Sequence, residues 1–202
     1  PANPGKAREL RALLANPMIR FRTALDFPDQ PEVEETGDTY ARNATLKAQV
    51  WSQRTGLITL ADDSGLEVAA LGGRPGVHSS RYAPTNAARI AGILKELEGV
   101  PEPRRCARFV CVMALVHPKG SVWLRRGQCE GHIAMAPSGD GGFGYDPIFL
   151  LPDRGQTMAE IPEEDKNHIS HRGRAARAMN QVLNILCQDR RHDAVAPDFT
   201  LS

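Results

Sequence analysis

An α/β fold, one domain built on a central mixed β-sheet flanked by helices, is what this chain predicts, and three observations predict it. The apolar run Leu57-Ile58-Thr59-Leu60-Ala61 leads into Asp62-Asp63-Ser64-Gly65-Leu66, which reads as a buried strand ending in a charged rim and a tight glycine turn. Arg105 to Val116 is apolar on both alternating faces, Phe109/Cys111/Met113/Leu115 against Val110/Val112/Ala114/Val116, the pattern of a strand covered on both sides. Between these runs lie segments with helical spacing.

In chain order, Asn3-Pro4-Gly5-Lys6 is a helix entrance, and Leu10, Leu13 and Leu14 form the stripe of the helix that follows. Backbone N–H groups at such an entrance favour anions, and a lysine beside them suits phosphate, though a plain surface cap with a solvated lysine is the simpler reading. After the acidic Glu32, Glu34 and Glu35, a helix over about 39–54 presents Ala41, Ala44, Ala48 and Trp51 to the sheet, with Asn43 and Lys47 sharing a second face. A helix from Thr85 to Glu98 carries Ile90, Ile93, Leu94 and Leu97, and Gly99 stops it. His117-Pro118-Lys119-Gly120 turns the chain, so Ser121 to Glu130 returns as a hairpin partner and the sheet becomes mixed. Near the end, Ser170 caps a helix whose stripe is Ala176, Met179, Val182, Leu183 and Leu186. Residues 188–202 turn polar and aperiodic and read as a frayed tail, which leaves 1–187 as the domain.

Composition limits the function classes. A net charge of +1 over 202 residues argues against a nucleic-acid polymer as partner, so any anion site must be local. The longest apolar runs, such as Val110 to Val116, fall far short of the ~20 residues of a membrane-spanning helix, and no signal peptide is expected. Four cysteines without metal-like spacing point to reduced thiols and a cytoplasmic setting.

Two stretches carry chemistry. Side chains of successive strand residues point to opposite faces, so one of Asp62 and Asp63 should reach a crevice while the other braces the turn. A surface turn explains Asp-Ser-Gly as well. Ser138 to Phe149 interleaves glycines with aromatics and acids, which suits either a hairpin loop with core aromatics or close approach to a ligand, with an aromatic stacked on a flat base. Lys166, His168, His171 and Arg172 cluster at a helix entrance, where donors meet anions best.

Together these segments resemble the inosine triphosphate pyrophosphatase family, over nearly the whole chain to about Leu186. The most specific pieces are Ala61-Asp62-Asp63-Ser64-Gly65-Leu66, Gly141 through Phe149 and Ser170-His171-Arg172-Gly173, in that order. The resemblance implies an elongated sheet with an active-site cleft between two lobes, a homodimer, and hydrolysis of ITP, dITP or XTP to the monophosphate and pyrophosphate with Mg2+. It implies Asp63 as catalytic base and magnesium ligand and Glu35 as the second acidic ligand. Asn3, Lys6, Lys47 and Ser64 would hold the phosphates, while Phe143, Gly144, Tyr145, Asp146, Lys166, His171 and Arg172 would enclose the base and sugar. One departure stands out: the family opens with a hydrophobic strand ending in Thr or Ser, whereas here Pro1 occupies the hydroxyl position and that first strand is missing. Two other readings fit the same residues: a nucleotide-binding module without turnover, and a pyrophosphatase for another modified nucleotide.

Overall fold

The computed structural model describes residues 4–14, 16, 19–23, 26–27, 33–189 and 198–201. The elements are α1 (Pro4–Leu13), β1 (Arg20–Thr23), α2 (Tyr40–Thr55), β2 (Ile58–Val68), α3 (Asn86–Glu96), β3 (Cys106–Val116), β4 (Val122–Ile133), β5 (Phe149–Leu151), β6 (Gln156–Thr157), α4 (Glu163–Ile169), α5 (His171–Asp189) and β7 (Asp198–Leu201). They form the expected α/β architecture around a seven-stranded sheet of order β1-β7-β2-β3-β4-β5-β6. The sheet is mixed: β7 runs parallel to β1 and β2, and β5 runs antiparallel to β4 and β6.

The chain divides into two compact units, residues 1–63, 111–127 and 174–202 in the first and 64–110 and 128–173 in the second. In the first unit β2 and β3 are apolar on both faces for a visible reason. Ile58, Leu60, Cys111, Met113 and Leu115 pack with α1, α5 and β7, while Ala61, Ala114 and Val116 pack with Ala44 and Ala48 of α2. The small alanine face predicted for α2 lets that helix approach closely. Thr39 caps it by accepting from the Arg42 N–H, and Gly56 ends it in the left-handed conformation. The second unit gathers Leu66, Val68, Ile93, Leu97, Phe109, Ile133, Ile148 and Phe149 into its own core.

Two expectations need correction. The strand at Leu57 does not end at Asp62-Asp63: β2 continues through Ser64 and Gly65 to Val68. Leu66 and Val68 are core residues, and the Leu66 N–H donates to Ser79 Oγ at 2.9 Å, so extended backbone is favoured beyond the acids. The chain turns instead at Gly72 and Gly73, both at positive φ. The predicted frayed tail is also wrong at Asp198–Leu201. That segment is the interior strand β7, registered with Phe199 beside Phe21 on one side and Ile58 on the other. Phe199 and Leu201 are buried with the first core, a placement the segment's short length and polar surroundings hid.

Gly173 marks a close approach. A Cβ there would stand 1.9 Å from the Asn167 carbonyl oxygen, so the first turn of α5 fits against the end of α4 only with glycine. Phe199→Ala is expected to lower stability by about 3–5 kcal/mol, read from urea unfolding. Gly173→Ala should lower the thermal midpoint, whereas Gly155→Ala, where nothing crowds the added carbon, should cost only the strain of its positive φ.

Candidate active site

The first unit assembles an acid–lysine group. Asp63 lies on β2, and its Oδ2 accepts from Asn43 Nδ2 at 3.0 Å. Lys47, one turn along α2 from Asn43, places Nζ 2.5 Å from Glu35 Oε1 and 4.0 Å from Asp63 Oδ1. The i,i+4 spacing puts amide and ammonium on one helix face, aimed at one strand residue. Asn43 Oδ1 in turn accepts from the Gly37 N–H at 2.7 Å, tying the segment that carries Glu35 to the helix.

Asp62 is fully buried, and Cys111 Sγ stands 3.7 Å from its Oδ2. Burial alone would lower the Lys47 pKa, but the charges of Asp62, Glu35 and Asp63 outweigh it and raise the pKa above the ordinary lysine value. The ammonium is therefore held throughout the neutral range. Its stabilising contribution is full below the ordinary lysine pKa and is lost only as pH rises through the elevated value.

The second unit assembles an aromatic–cation group. Phe143 has Lys166 Nζ 4.6 Å and the Arg172 guanidinium carbon 5.4 Å from its ring centroid. Arg172 donates to Ser64 Oγ at 2.8 Å. Lys166 donates to Asp146 Oδ2 at 2.7 Å, and the Phe143 N–H donates to the same oxygen at 2.8 Å. Gly144, at φ +66, lets the loop turn between Phe143 and Tyr145. Tyr145 is buried and donates its hydroxyl to the Ser79 carbonyl at 2.9 Å; that burial raises its pKa. His171 is also buried, stacked on Phe109 with centroids 4.7 Å apart. Ser170 Oγ accepts from the Gly173 N–H as the predicted cap of α5.

The structure thus groups Glu35, Lys47 and Asp63, and separately groups Ser64, Phe143, Asp146, Lys166 and Arg172. Asn3 lies outside the described residues, and Lys6 is placed only as part of the α1 backbone. The Ham1 family matches residues 2–182 of the chain. The chain belongs to the Ham1 family.

Among relatives of this Ham1 chain, the dITP/XTP pyrophosphatase of Geobacillus kaustophilus is 52% identical over 182 residues, 89% of each chain. A solved HAM1 protein from Coxiella burnetii superposes with a TM-score of 0.83 at 43% identity, covering 92% of this chain and 96% of that one. The dITP/XTP pyrophosphatase structure from Mycobacterium abscessus gives 0.72 at 42% identity, with 89% and 95% covered.

Sequence reasoning missed two members of the acid–lysine group. Asn43 showed only as sharing a face with Lys47, although that spacing is the signal that would have found it. Alternation on a strand leaves open which of Asp62 and Asp63 braces the turn, whereas the continuous buried strand makes Asp62 part of the charge field around Lys47. Ser79 fixes the backbone beside the aromatic–cation group: its Oγ accepts from the Leu66 N–H and donates to the Gly76 carbonyl at 2.6 Å.

Lys47→Met leaves Glu35, Asp62 and Asp63 without their shared cation and should destabilise the protein by about 3–5 kcal/mol in urea unfolding at pH 7. Tyr145→Phe orphans a buried carbonyl and should cost about 1–3 kcal/mol by the same measurement.

Proposed function

We propose that this chain hydrolyses non-standard purine nucleoside triphosphates, namely dITP, XTP and ITP, to the monophosphate and pyrophosphate. The observation that carries the reading is the acid–lysine group around Asp63, in a chain about half identical to proteins named dITP/XTP pyrophosphatases. A triphosphate repels an attacking water until its charge is neutralised, and a half-buried lysine beside oriented carboxylates suits that task.

Asp63 acts as the base. Asn43 holds its Oδ2, which fixes the carboxylate while it takes a proton from water. The water oxygen bonds to the α-phosphorus, the bond from that phosphorus to the bridging oxygen breaks, and pyrophosphate leaves. Lys47 offsets charge on the phosphates, with Asn3, Lys6 and Ser64 as further phosphate contacts. Glu35 and Asp63 would hold Mg2+ through hard carboxylate oxygens, beside the Lys47 ammonium. When bound, that ion supplies further neutralisation of phosphate charge.

Specificity follows from hydrogen-bond polarity. Hypoxanthine and xanthine carry an acceptor oxygen at C6 where adenine carries an amine, and Lys166 and Arg172 are donors beside an aromatic ring suited to stacking. Gly144, Tyr145 and His171 shape that surround. The substrate is a small molecule, and no described helix is long and apolar enough to cross a membrane. The four cysteines, none in a disulfide among the described residues, suit a cytoplasmic enzyme, and the family resemblance supports a homodimer with residues 1–187 as its domain, extended by β7.

Pyrophosphate release with Mg2+ should be fast for XTP and dITP and slow for dATP. Asp63→Asn should lower kcat by about 10²–10⁴-fold. Tight XTP binding without release by the unmodified chain would instead make it a nucleotide-binding module.

A further inference from the structure

We propose that Asp146 is a positioning residue, whose carboxylate sets the Lys166 ammonium against the Phe143 loop and does not itself touch the nucleotide. This rests on the functional reading above and changes the part that the family resemblance gives Asp146, a contact to the base or sugar.

Three observations carry it. Asp146 is only 3% exposed, and one oxygen, Oδ2, takes both the Lys166 ammonium and the Phe143 N–H. The loop is wrapped onto that oxygen: Gly142 sits at φ +70, and a Cβ there would lie 2.1 Å from Asp146 Oδ2. The loop is also fixed farther back. The Gly141 N–H donates to the Ala159 carbonyl, Ser138 Oγ donates to Glu160 Oε1, and Glu160 Oε2 accepts from the Thr157 N–H. The carboxylate is thus enclosed by its own loop, while the Lys166 ammonium stands over the Phe143 ring.

An ammonium has three N–H donors. Asp146 takes one and thereby fixes where the other two point. The pair is also neutral overall, so Lys166 offers donors to a carbonyl oxygen without a net charge. A single carboxylate therefore sets both the height of the aromatic ring and the direction of the donor beside it.

Positioning and direct contact predict different kinetics. A carboxylate touching the base would accept from a ring N–H, N1–H in both bases or N3–H in xanthine alone, and its loss would cost binding whether or not Lys166 is present. Loss of a positioning carboxylate acts through Lys166 and Phe143 and costs both substrates alike.

The test is steady-state kinetics on XTP and dITP for the unmodified protein, Asp146→Asn, Asp146→Glu, Lys166→Met and Asp146→Asn/Lys166→Met. Asp146→Asn should raise KM for both substrates in parallel, by about tenfold, with kcat within about threefold. Asp146→Glu should recover most of that loss. On the Lys166→Met background, Asp146→Asn should add less than about twofold, because the two act as one unit.

A KM penalty about tenfold larger for one base than the other, or full multiplication of the two single effects, overturns the proposal. Thermal unfolding of each variant establishes that it is folded. If Asp146→Asn does not fold, Asp146→Glu and Asp146→Glu/Lys166→Met carry the comparison: a Glu effect that vanishes on the Lys166→Met background supports positioning, and one that multiplies in full overturns it. Failure of the unmodified protein to release pyrophosphate from either substrate would instead defeat the functional reading.

Discussion

A single ammonium among three carboxylates sets the terms for the first unit. Lys47 meets Glu35 directly, stands within ion-pair distance of Asp63 and is held charged by Asp62 as well. Acids placed side by side on a doubly covered strand would repel one another and resist burial. The helix that supplies their counter-charge must therefore lie close, and the alanine face of α2 makes that closeness possible. Small residues and buried charge are in this sense one design: larger side chains at Ala44 or Ala48 would push the ammonium away from the strand it neutralises.

The second group works differently. Its cations flank a ring instead of a cluster of acids, and its loop is built from glycines that bring backbone close to neighbouring groups at Gly139, Gly141 and Gly142. The hydroxyl of Tyr145 and the ring of His171 face inward to a carbonyl and to Phe109, so both residues support the group from behind.

Much of this was legible in the sequence because it is periodic. The alanine face of α2, the stripe of α5 and the two-sided strand β3 are repeats of 3.6 or 2 that packing then used as read. The family motifs marked Asp63, Phe143 and Arg172 for the same local reason, since each stands in a short run of unusual composition. What the sequence hid depends on partners far along the chain. Asp-Ser-Gly looked like a turn because those residues favour turns in isolation, but Ser79 and the second core hold it extended. Nothing near Asp146 in sequence reveals its bond to Lys166, 20 positions away. The strand β7 is only four residues long, too short to display alternation, and its parallel partners lie more than a hundred positions upstream.

That last strand bears on how the protein is made. Translation adds residues 64–173 before Asp198–Leu201, so every residue of the second unit is already joined to the chain while the first still lacks the strand between β1 and β2. Until then the facing edges of β1 and β2 lack their mate. A nascent chain in that state exposes an open slot of backbone donors and acceptors, the kind of surface that chaperones shield, and it closes only with the final element of the sheet to be synthesised.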